Sequence, residues 1–289
     1  MTPTSIDTAP LVSHAAIARA SRAVIANAMA GDFPVDPVIG SDLSKSFSII
    51  NSVVKRHGLL IQRTLGDALA ASGRFDILTE VRLPITEAAH DLLTSDNSDR
   101  DLRKIKLKAD SNTLRMVAID LVVVDTESGW AGAYDVKRGN GTTESRKRGP
   151  IELDLRATRL ILASFLAKCG YDGIRSVTSA VIDYYGASGF SKEMRLTGGE
   201  LDEHFGVPVV DTVEAMTAEL QRALHAEMRN LLTPALTNLP HATDQAPGAD
   251  TGAPHLVVEN AEAKIPESAI GRVLNARPTG PGPWRPRMT

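Results

Sequence analysis

The chain has 289 residues, 43% hydrophobic and 23% charged, enough to bury a full core in one domain with appendages. Its formal charge of −3 is no mark of a polyanion-binding protein, yet residues 45–190 carry 21 Lys and Arg against 18 Asp and Glu, and both ends are acidic. No apolar run reaches the roughly 18 residues of a bilayer span, no basic-then-apolar leader opens the chain, and the single cysteine, Cys169, excludes an internal disulfide, so a cytoplasmic protein with no membrane contact is expected.

Residues 13–31 predict a helix rich in small side chains, with Ser13 as its N-cap and Gly31 just beyond its end. Pro34 and Pro37 then mark a linker. Residues 1–41 therefore read as a helical arm that packs on the core, on a second subunit or on another protein. A longer helix is expected from near Ser41 to Ser72, stopped by Gly73. Its apolar residues Leu43, Phe47, Ile50, Val54, Ile61, Leu65 and Leu69 recur at spacings of three, four or seven. Gly58 and Gly66 weaken it, and a break is expected near His57.

Residues 74–84 alternate as a strand does, with Ile77, Thr79, Val81 and Leu83 on one face and Asp76, Leu78, Glu80 and Arg82 on the other. Pro84 ends this strand or puts it at a sheet edge. Residues 94–111 form a charged insertion bearing Arg100, Arg103, Lys104, Lys106 and Lys108. A solvated loop explains such a run, and basic groups there are also placed to reach phosphates.

Two apolar, β-branched runs, residues 113–125 and 130–138, flank the polar segment 126–129, the pattern of an antiparallel hairpin. With the turn centred between Glu127 and Ser128, paired residues have numbers summing to 255, which sets Asp120 opposite Asp135 with Cβ atoms roughly 5 Å apart. Both faces of the first strand are apolar, so it is central and Asp120 is its anomaly. Two facing carboxylates repel unless a positive charge lies between them, and a divalent cation is the natural candidate. Lys137, two residues after Asp135, shares its strand face.

Downstream, Gly139 to Gly141 reads as a turn, and Arg146-Lys147-Arg148 as a basic loop suited to a substrate backbone. Pro150 is expected to open a helix ending at Lys168, carrying Arg156 and Arg159 toward solvent or a cleft, before a strand at residues 174–184. An amphipathic helix at residues 212–232 caps the core or contacts a second copy in a two-fold dimer. Residues 234–289 have the Pro- and Gly-rich composition of a flexible tail, and residues 279–287 read as a disordered segment or a recognition element.

Asp120 followed by Asp135-Val136-Lys137 resembles the PD-(D/E)xK phosphodiesterase superfamily, in which an acid on one strand and an acid-x-lysine on the next bind magnesium and cut DNA. Ile119 stands where that family often has proline. The predicted order of elements also matches the α-β-β-β-α-β core of the restriction-endonuclease-like fold over residues 42–186. The resemblance implies an α/β protein with a mixed central sheet flanked by helices, divided as an N-terminal arm (1–41), nuclease core (42–190), C-terminal helical extension (191–233) and tail (234–289).

It further implies a Mg²⁺-dependent DNA endonuclease, with Mn²⁺ as a substitute metal. Asp120, Asp135, the Val136 carbonyl and Glu80 are the implied ligands, Glu80 because several branches add an acid from the first helix or strand. Lys137 acts on the attacking water or the developing charge, and Arg138, Arg146, Lys147, Arg148, Lys104 and Lys106 are the expected nucleic-acid contacts. A partner charge for Arg82 explains Glu80 equally well. A non-catalytic scaffold that kept the fold and a nuclease acting on RNA both remain open readings. No histidine pair at metal-ligand spacing, Gly-x-Ser-x-Gly elbow, phosphate-binding Walker loop or dinucleotide fingerprint competes with the two aspartates.

Overall fold

Residues 10–102, 104–109 and 112–237 are described by a computed structural model of the chain, and all belong to one compact unit. The expectations for residues 238–289 and for Arg103 lie outside the described residues. The Ser13 hydroxyl accepts from the Ala16 N–H at 3.3 Å, and helix α1 follows over His14–Met29. Helix α2, Gly40–Ala71, runs unbroken through both of its inner glycines. A Cβ at either glycine would make ordinary contacts, at 3.6 Å from Arg138 Cβ for Gly58 and at 3.5 Å from Ile77 and Leu121 for Gly66. The expected break near His57 does not occur, because tertiary packing outweighs the helix propensity of two glycines.

Strand β1, Asp76–Thr86, is followed by α3, Glu87–Thr94, and one turn of α4, Asp99–Leu102. The charged insertion is thus partly helical and fastened to the body: Leu102 and Ala109 are buried, and the Leu107 N–H donates to the Leu160 carbonyl at 2.7 Å. Strands β2, Thr113–Asp125, and β3, Trp130–Lys137, form the hairpin with the predicted register, Leu121 facing Tyr134 and Asp125 facing Trp130. Helix α5 spans Ser145–Lys168, so Pro150 sits inside its second turn instead of opening it. The Arg146 to Arg148 run is therefore helical, not loop. Strand β4, Ser176–Asp183, the short β5, Arg195–Leu196, the short α6, Leu201–Phe205, and α7, Val210–Thr237, complete the order.

The sheet is mixed, in order β1-β2-β3-β4-β5, with β1, β2 and β3 antiparallel and β3, β4 and β5 parallel. β1 is an edge strand, which is how Pro84 is accommodated opposite Met116. One face packs Leu121, Val123, Tyr134, Val136 and Ile182 against α1, α2, α6 and α7. The other packs Leu83, Ile85, Val117, Ile119, Val122, Val124 and Val181 against α3 and α5. The strict alternation predicted for β1 fails, because Ile77 lies on the α2 side while Leu78, Val81, Leu83 and Ile85 all lie on the α5 side. The switch falls at Glu80, whose φ of +53° makes it the one described non-glycine residue with a left-handed backbone. No described helix is long and apolar enough to cross a membrane.

Candidate active site

β2 and β3 pair from Leu121–Tyr134 to Asp125–Trp130 and then part. Beyond that point residues 113–119 of β2 pair with β1, and Asp135 to Lys137 pair with β4. Asp120 stands in the crotch of this fork and appears in neither ladder. Side chains take the ladder's place: Asp120 Oδ2 accepts from the Val136 N–H at 2.8 Å, and the Asp120 carbonyl accepts from Gln62 Nε2 at 3.0 Å. On β3, Asp135 follows Ala131 and Ala133 on the α5 side of the sheet. Its Oδ1 forms an ion pair with Lys137 Nζ, the two side chains being 19% and 35% exposed.

Burial pushes the Asp120 carboxyl up to about 6, the Val136 N–H opposes that rise, and the negative charge of Asp135 adds to it. The hairpin thus brings together two carboxylates that feel each other, and one ammonium. Among the described residues no three His, Cys, Asp or Glu side chains gather into a metal-holding group. The donor set is two carboxylates plus backbone oxygen, with no thiol or imidazole, which fits a hard cation such as Mg²⁺ that keeps several waters and takes one or two carboxylates from the protein.

Glu80 does not join the pair. It is exposed, and lies with Arg56, Leu59, Gln62, Arg63 and Ile77 on a cavity of about 570 Å³ between α1, α2 and β1. Arg138 turns inward: its Nε donates to His57 Nδ1 at 3.1 Å, and its guanidinium lies 5.8 Å from the centre of the Tyr185 ring. His57 Nε2 meets Thr217 Oγ1 at 3.0 Å, and that hydroxyl donates to the Val213 carbonyl at 2.9 Å. Buried His57 is therefore neutral with its proton on Nε2.

Arg146 and Lys147 are exposed in the first turn of α5 and both pair with Glu144, at 2.7 and 3.0 Å. Arg148 donates to the Gly189 carbonyl. These three sit at the end of the sheet where β3 and β4 finish. Lys106 is at the other end, its Nζ 3.4 Å from the Ile174 carbonyl ahead of β4. Lys104 is exposed in the turn after α4. The structure therefore does not bring Lys106 to the two aspartates.

Three supporting residues escaped sequence reading. Gln62 sits on a helix face with no pattern that sets it apart. His57 looked like one of seven isolated histidines. Asp183, beside Lys137 in the β3/β4 register, is fully buried and accepts from the Ser188 N–H at 3.0 Å and the Ser188 hydroxyl at 2.8 Å. It fixes the loop against Gly139, whose φ is +74° and whose place any Cβ would make collide with Asp183 Oδ1. Comparison of the chain with protein-family profiles, curated proteins and solved structures returned no match.

Proposed function

We propose that the protein is a Mg²⁺-dependent endonuclease of the PD-(D/E)xK type that hydrolyses DNA phosphodiester bonds. The observation that carries this reading is the fork: an anchored Asp120 beside an Asp135–Lys137 ion pair at the point where the pairing of β2 with β3 ends. Asp120, Asp135 and the Val136 carbonyl would hold the cation. Bound there, Mg²⁺ supplies Lewis-acid stabilisation of the phosphoryl charge and lowers the pKa of the attacking water.

The chain's own groups do the rest. The Val136 N–H keeps the Asp120 carboxylate aimed into the fork. Asp135 holds the Lys137 ammonium in place, so that Lys137 is ready to neutralise charge developing on the phosphate or to orient the water. The mildly basic stretch at residues 45–190 permits a polyanionic substrate without requiring one. The test is supercoiled plasmid incubated with the protein, with and without Mg²⁺ or Mn²⁺, beside Lys137→Ala. Metal-dependent nicking that the variant loses supports the reading, and an intact plasmid under every metal overturns it for duplex DNA.

A further inference from the structure

Asp120 is held from two sides, and the second holder comes from outside the hairpin. At the step where Glu80 should pair with Asp120, the left-handed backbone of Glu80 takes it out of the register that joins Thr79 to Leu121 and Val81 to Ile119. On the opposite side the β2/β3 ladder has already ended at Leu121. The neighbours of Asp120, Ile119 and Leu121, stay paired to β1, so the Asp120 peptide is the unpaired step between them, and its carbonyl still needs a donor. Gln62, half-buried on α2, supplies that donor at 3.0 Å.

The helix delivering it is itself held close to the strand. Gly66, one turn further along α2, lies over Leu121, the residue following Asp120, where a Cβ would stand 3.5 Å from Leu121 Cδ1. Gly58, one turn before, passes over Arg138, the residue following Lys137. The Gln62 amide is therefore delivered from a rigid element against both arms of the fork.

We propose that Gln62 is a positioning residue for the candidate metal site: by fixing the Asp120 carbonyl it sets where the Asp120 carboxylate stands relative to Val136 and Asp135. The inference rests on the nuclease reading for its consequence in catalysis, but not for its structural content. Without the amide, the Asp120 peptide is free to tilt between the paired Ile119 and Leu121, the bond to the Val136 N–H loosens, and two carboxylates that must meet one cation are no longer preset.

The test uses the full chain, with Gln62→Met, similar in volume but without a donor, and Gln62→Glu, which keeps shape and solubility and also lacks the donor when ionised. Amide hydrogen exchange of Val136 in the metal-free protein is the first readout, and Mn²⁺ binding by calorimetry the second. Expected are Val136 exchange at least about tenfold faster in both variants, with Leu162 in the α5 core unchanged, and Mn²⁺ binding weakened about five- to tenfold. In cleavage, the Mg²⁺ concentration for half-maximal rate should rise in the same proportion, with KM for DNA unchanged and Gln62→Lys, which restores a donor, recovering most of the loss. Wild-type exchange at Val136 and wild-type Mn²⁺ affinity in both variants would overturn the role of Gln62. A wild-type protein that cuts no nucleic acid, alongside faster Val136 exchange in the variants, would overturn the nuclease reading and leave the anchor standing.

Discussion

Glu80 and Asp120 occupy matching positions on adjacent strands, and at that step both strands exchange the faces they bury. Before it in β1, Ile77 packs toward α2; after it, Val81, Leu83 and Ile85 pack toward α5. In β2, Val117 and Ile119 lie on the α5 side with Val122 and Val124, while Leu121 and Val123 lie on the other. A residue of left-handed backbone thus faces the acid in the middle of β2, and the candidate site is built where the sheet's regularity fails.

That backbone has a measurable cost. Glu80→Gly should raise stability by about 0.5–1 kcal/mol, whereas Glu80→Val, with a branched Cβ at φ +53°, should lower it by about 1–2 kcal/mol. Urea midpoints at constant slope would read both. Because no third carboxylate joins Asp120 and Asp135 among the described residues, Glu80→Gln should, on the proposed nuclease reading, keep cleavage within a few-fold of wild type. A loss of a hundredfold would make it a ligand after all.

Asp120 is a burden on the metal-free fold. Its carboxyl is raised from 3.8 to about 6, first by burial, so between those values the folded chain binds more protons than the unfolded one and gains stability as pH falls. At pH 8 the ionised group is a net cost, of about 1 kcal/mol once solvent screening of this half-buried site is allowed for. Asp120→Asn should therefore raise Tm by about 2–4 °C at pH 8 without metal, keep only about half of that gain at pH 5 and, on the proposed nuclease reading, abolish cleavage. Calorimetric scans at the two pH values would check it.

His57 works in the opposite sense. Burial, with the nearby Arg138 charge, lowers it from 6.5 to about 4, so the unfolded chain binds more protons between those values. The stability it contributes is full above about pH 6.5 and is lost as pH falls toward 4. His57→Gln should show a shallower fall in denaturation midpoint than wild type across that window. Equal slopes would mean the imidazole is not held neutral.

Gly139→Ala should be among the most damaging small substitutions. It forces a side chain into a left-handed backbone and against the buried Asp183 carboxylate, at a combined cost of about 2–4 kcal/mol. Thermal denaturation measures that cost. The same variant tests whether the loop after Lys137 must be rigid for cleavage.

The hairpin was legible because its signals are local: period-two alternation and a polar turn fix the register from Asp125–Trp130 to Leu121–Tyr134, although the ladder stops one step short of an Asp120–Asp135 pair. Helix α2 and the order of elements were legible for the same reason. What escaped depends on contacts distant in sequence. Nothing in a glutamate inside a strand announces a φ of +53°, and nothing in Gln62 announces a bond to a carbonyl 58 positions away. The basic run at Arg146 was read as a loop because Pro150 looked like a helix start. A proline is tolerated inside the second turn there, where it forgoes an intrahelical bond only to the carbonyl of Arg146.

Helix α7 lies against α1 and α2, and its Val213, Met216, Leu220 and Leu231 share one core with Leu121 and Val136 of the hairpin. A ribosome makes those residues after the hairpin they back. Until more than two hundred residues have emerged, the hairpin bearing both aspartates has no complete wall behind it, and the Arg138–His57 link has no Thr217 to end on. The wall behind the fork is thus closed by a helix synthesised after the hairpin, so the two aspartates reach their final setting only once translation has passed α7.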